Sequence, residues 1–99
     1  MNMDASNRPI CLVEDNPADV DLTLRAFARR RLANPVHVAR DGEEALAWIP
    51  RWSAGEVLPL LILLDLKLPR IDGLEVLRQL KGNSISHNIP VVVLTTSEE

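Results

Sequence analysis

A strand that is apolar at every position has to be covered on both faces, and three short runs of this chain have that character. They are Ile10-Cys-Leu-Val13, Leu60-Leu-Ile-Leu-Leu64 and Ile89 to Leu94. Each is followed at once by polar residues: Glu14-Asp15, Asp65 and Thr95-Thr96-Ser97. Between them lie segments with helical start signals. Asn16-Pro17 opens one, Asn as the cap and Pro at the first helical position, and apolar Val20, Leu24, Phe27 and Ala28 recur behind it at helical spacing. That helix is expected to run to about Leu32 with a buried stripe. Its last turn carries Arg29-Arg30-Arg31, which reads as a solvated helix end or as a docking patch for an acidic partner.

Asn34-Pro35 breaks the chain before a short strand, Val36-His-Val-Ala39. Asp41 and Glu44 form a capping box for a helix bearing Ala45, Leu46, Trp48, Ile49 and Trp52, which Pro50 should kink or shorten. Trp48 and Trp52 read as packing residues, and Ser53-Ala-Gly55 as a loop. A second capping box, Asp72 and Glu75, opens a helix with Leu74, Leu77 and Leu80 inward, ending near Gly82-Asn83.

Strand, helix, strand, helix, strand, helix, strand implies right-handed crossovers and an α/β fold, a doubly wound parallel sheet with helices on both faces. Ligands of such sheets sit outside the carboxyl ends of the strands, where strand order reverses. Glu14, Asp15, Asp65 and Thr95 all fall there. Like charges crowded at one rim are costly unless a cation joins them. Three carboxylates without histidine or cysteine favour a hard ion, Mg²⁺ or Mn²⁺. An aspartate beside such an ion can attack a phosphoryl group and become an acyl phosphate, and the Thr95 hydroxyl can donate a hydrogen bond to a phosphoryl oxygen.

The bulk numbers are consistent with this and exclude other classes. A chain of 99 residues makes one domain and buries only about 60–65% of its unfolded surface. A net charge of −3 argues against a nucleic-acid binder. Cys11, the lone cysteine, reads as a small core residue. Met1 to Arg8 lacks an apolar signal region, and no apolar run approaches the length of a membrane span, so a cytosolic protein is expected. His37 and His87 read as structural or solvated.

Val13-Glu-Asp-Asn16, Leu64-Asp-Leu-Lys-Leu-Pro69, Asp72-Gly73 and Val91-Val-Val-Leu-Thr-Thr96 together resemble the receiver domain of two-component response regulators, over essentially the whole chain. The resemblance implies strand order 2-1-3-4 and Asp65 as phosphoacceptor from a histidine kinase or phosphotransfer protein. It implies Mg²⁺ or Mn²⁺ bound by Glu14, Asp15, Asp65 and the backbone carbonyl of Lys67. Thr95 corresponds to the switch hydroxyl, and Thr96 to the residue whose amide contacts the phosphate. Such a domain is a switch rather than an enzyme in the ordinary sense. The Lys67 side chain reads as solvated, or as acting with Ser97 to modulate attack by water on the acyl phosphate.

Receivers also carry a fifth strand with a phosphate-pairing lysine, flanked by two more helices. Lys67 and Lys81, the only lysines, both precede the fourth strand. The expectation is therefore a receiver, residues 1–99, truncated after strand four, whose apolar edge invites homodimer formation. Glu14 to Asp21 looks most like stand-alone receivers that partner phytochrome-type kinases. With no DNA-binding segment, output by protein contact is the simplest expectation. A phosphatase with an aspartate nucleophile is a rival, but it would want a second aspartate at position 67. An unphosphorylated pseudo-receiver is the other.

Overall fold

The apolar runs become neighbouring strands. The structure, a computed structural model, describes residues 7–94. Strands β1 (Ile10–Val13), β2 (Val36–Ala39), β3 (Leu61–Asp65) and β4 (Val91–Leu94) form one parallel sheet in the order β2-β1-β3-β4. A proline stands just before several strands, where its missing N–H lies outside the ladder and its carbonyl extends it. Ile10 N donates to Pro35 O (2.8 Å), Leu60 N to Pro9 O (2.8 Å) and Ile62 N to Pro90 O (2.9 Å).

The helices are α1 (Pro17–Arg29), α2 (Gly42–Leu46), α3 (Trp48–Ser53) and α4 (Gly73–Gly82). From β1 the chain crosses to one neighbour, β2, and then back past β1 to β3. Right-handed crossovers in opposite directions place α1 and α2–α4 on opposite faces. On the α2–α4 face, Cys11, Val13, Ile62 and Leu64 meet Ala45, Trp48, Trp52, Val76 and Leu80 in one buried cluster. The two indoles stack with centroids 6.0 Å apart, as packing residues. Burial pushes the Cys11 thiol up to about 12, so it stays protonated and behaves as a small apolar side chain.

Pro50 explains why α2 and α3 are two helices. Its ring would strike the carbonyl of Leu46, so the chain turns at Ala47 and Pro50 sits in the first turn of α3, where no N–H is needed. Three expectations need correction. First, α1 ends at Arg29, not Leu32: Arg31 takes φ 58°, Arg31 N donates to Ala28 O and Leu32 N to Phe27 O, a left-handed helix stop with Arg where Gly is usual. The stripe on α1 is also only partly covered. Val20 and Phe27 are half-buried, Leu24 and Ala28 exposed, because no other described helix lies beside α1 on its face. Second, α4 buries Gly73, Val76 and Leu80, while Leu74 points outward; the close seating of Gly73 sets that phase. Third, the capping box at Asp72 is half made. Asp72 accepts from Leu74 N (2.9 Å), but Glu75 turns to Arg78 and Gln79.

Candidate metal and phosphoacceptor site

The register decides which side chains meet. Val13 pairs with Leu64 across β1 and β3, so Glu14 and Asp65 follow side by side at the carboxyl edge. One carboxylate oxygen each from Glu14, Asp15 and Asp65 lie within 4.8 Å of one another. Glu14 and Asp65 are each only 3% exposed, while Asp15 faces solvent. Glu14 is held at both ends: its N–H continues the ladder to Ala39 O (2.9 Å), and its carboxylate accepts from Asn16 N (3.2 Å). Asn16 in turn caps α1 by accepting from Ala18 N, so one short turn fixes both the acid and the helix behind it.

Asp65 accepts from Lys67 N through Oδ1 (2.9 Å), which orients the carboxylate and tightens the exit from β3. That exit is closed by Gly73, whose N–H reaches Leu66 O (3.3 Å). A Cβ on Gly73 would stand 2.5 Å from Leu66 Cα and 2.8 Å from Asp65 O. Only glycine allows α4 to begin against the backbone of the strand that presents Asp65.

Among the described residues no cationic side chain forms an ion pair with Glu14, Asp15 or Asp65. Burial first, then the nearby charges of Asp65 and Asp19, push Glu14 up to about 7, although the Asn16 amide works the other way. Two buried acids and a third beside them, all offering oxygen, fit a hard divalent cation, which would displace the proton and relieve the repulsion.

Of the other sequence candidates, Lys67 joins the site through its backbone amide. Lys67 is exposed. Thr95, Thr96 and Ser97 lie outside the described residues. Lys81 lies in the last turn of α4, its ammonium bonded to Ile89 O (2.8 Å) and His87 O (3.2 Å) before the amino end of β4, at the opposite edge of the sheet from the acidic rim. His37 is on the outer strand β2, and His87 is exposed between α4 and β4. The sequence reading credits Asp41 with a cap but misses what Gly42 and Arg70 do. Gly42 is buried against Ile71, and Arg70 has φ 66° and faces two acids. The Asp-Gly pair was the available signal for Gly42; no pattern marks Arg70.

A parallel α/β sheet with three carboxylates gathered at the carboxyl edge of β1 and β3 defines a class of open α/β folds whose rim can hold a divalent cation. Residues 10–99 match the response regulator receiver domain, and the chain belongs to that family, a domain of two-component signalling. It is 44% identical over 98 residues to the response regulator Rcp1 of Synechocystis, covering 95% of this chain and 67% of that protein. It is 47% identical over 89 residues to a probable methanogenesis regulatory protein, FilR2, of Methanothrix harundinacea, covering 89% of this chain and 57% of that protein. The chain thus spans between a little over half and two thirds of these relatives. Among solved structures, the bacteriophytochrome response regulator AtBRR superposes with TM-score 0.84 at 51% identity, over 93% of this chain and 69% of its own. The Mn²⁺-bound form of Rcp1 superposes with TM-score 0.82 at 40% identity, over 93% and 68%. The phosphorylated cyanobacterial phytochrome response regulator RcpA gives TM-score 0.82 at 44% identity, over 94% and 68%.

Proposed function

We propose that this chain is a phosphoaspartate switch: Asp65 accepts a phosphoryl group from a histidine kinase or phosphotransfer protein, and the modified domain signals by protein contact. The observation that carries the reading is the gathering of Glu14, Asp15 and Asp65 within 4.8 Å without a protein cation among the described residues. In the transfer, a carboxylate oxygen of Asp65 forms a bond to phosphorus as the P–N bond of the donor phosphohistidine breaks, and the imidazole leaves with a proton. Glu14, Asp15, Asp65 and the Lys67 carbonyl would hold Mg²⁺ or Mn²⁺, which when bound offsets the charge of the incoming oxygens. The Lys67 amide holds Asp65 in a fixed rotamer, so the attacking group is presented without a search. Thr95 would donate to a phosphoryl oxygen and the Thr96 amide would contact another. Ser97 and the Lys67 side chain would tune hydrolysis, in which water releases phosphate and restores the carboxylate.

Similarity to the bacteriophytochrome and cyanobacterial phytochrome regulators supports a phytochrome-type kinase as donor, and a cytoplasmic setting is compatible with described helices none of which is long and apolar enough to cross a membrane. A second copy of the chain is a further partner to test. The test is incubation of the full-length protein with Mg²⁺ and a small acyl-phosphate donor. The expected result is a single phosphoryl mass gain that Asp65→Asn abolishes and chelation prevents. No gain would point to a pseudo-receiver, and sustained turnover of phosphate esters to a phosphatase.

A further inference from the structure

The loop between β3 and α4 supplies Asp65 at one end and the Lys67 carbonyl just after it. Its ends are tied by Lys67 N to Asp65 Oδ1 and by Gly73 N to Leu66 O. Its middle is tied to a different element. Arg70 reaches the start of α2, with Nε 3.6 Å from Asp41 Oδ2 and Nη1 3.4 Å from Glu43 Oε1. One guanidinium therefore faces two carboxylates, and Asp41, at 18% exposed, is only partly screened by water. Beside it the backbones nearly touch: a Cβ on Gly42 would lie 2.7 Å from Ile71 Cβ and 2.8 Å from Ile71 O. Arg70 itself adopts φ 66°, a left-handed conformation that a long L-side chain rarely takes without a compensating contact. In that conformation its guanidinium faces the two carboxylates.

We propose that Arg70 is a positioning residue: by bridging the β3–α4 loop to the first turn of α2 it fixes the Lys67 carbonyl, and so sets how tightly the three-carboxylate site holds Mg²⁺. The inference rests on the metal reading given above and extends it to a residue that touches neither ion nor phosphoryl group. The bridge is solvent-exposed on the Arg70 side, so its effect is modest, about two- to fivefold in affinity.

The test compares Mg²⁺ binding by calorimetry with amide hydrogen exchange at Lys67 and Gly73 in the metal-free full-length protein. Arg70→Asn suits it, because asparagine tolerates the left-handed backbone while removing the bridge. It should weaken Mg²⁺ by about two- to fivefold and speed exchange at both amides by a similar factor. Arg70→Lys, which keeps a cation over Asp41 and Glu43, should recover most of the affinity. Glu43→Gln, which removes one acid and leaves the Asp41 cap intact, should fall between. Arg70→Asn protein that binds Mg²⁺ as the parent does would overturn the proposal, whatever its stability. A parent that takes no Mg²⁺ would overturn the metal reading itself, and this inference with it.

Discussion

Glu14 is the carboxylate pushed furthest from its ordinary range among the described residues. Its native value is raised from the usual carboxylate range to about 7, so the metal-free native state holds a proton that the unfolded chain releases near 4.5. Stability from this group is therefore fully present below about pH 4.5 and is lost as pH rises through about 7. We expect the metal-free protein to lose urea resistance across that window more steeply than Glu14→Gln does, and Mg²⁺ to flatten the curve. Apparent Mg²⁺ affinity should also fall, approaching tenfold per pH unit below about pH 7, as the proton competes for Glu14; a pH-independent affinity would contradict the assignment. Gly73→Ala acts through geometry instead. Its methyl meets backbone atoms of Leu66 at 2.5–2.7 Å, and backbone cannot step aside as a flexible side chain could. A cost of about 1–3 kcal/mol is expected, with weaker Mg²⁺ binding because Asp65 moves with its strand end.

At the scale of elements, strands were more legible than helix faces. Ile10–Val13 and Val36–Ala39 stand where the sequence places them, because apolar, β-branched runs between turn residues leave one reading. β3 and β4 each shift by one or two residues, a matter of where the ladder starts. Helix phase was harder to read. Leucines at 74, 77 and 80 suggest an inward row, yet the close approach of Gly73 to Leu66 is a tertiary constraint that rotates α4 so that Val76 and Leu80 face the core. This makes a paired test. Leu80→Ala should cost about 2–5 kcal/mol in denaturant unfolding, whereas Leu74→Ala should stay within about 0.5 kcal/mol. Equal costs would mean the phase is wrong. The end of α1 was illegible for a related reason: nothing local marks Arg31 as a left-handed stop.

For the whole molecule, the acidic rim could be read because strand ends are written in the sequence and parallel topology gathers them. The clamp at Arg70 could not, since it joins residues 27 or more apart through an exposed pair. The sheet is asymmetric. β4 is its outermost described strand beside β3, with Val92 46% and Val93 39% exposed. Val92→Lys should leave Mg²⁺ affinity in calorimetry unaltered, because the substituted side chain is already exposed and lies away from the carboxylates.

The account stands on one cation shared by three acids from two adjacent strands. Mn²⁺ titrated into the metal-free full-length chain, followed by the loss of its free electron paramagnetic signal, reports on that sharing directly. We expect one ion per chain, with binding sharply weakened by Asp15→Asn and by Asp65→Asn. Binding that ignores Asp65→Asn, or that shows no defined stoichiometry, would contradict it.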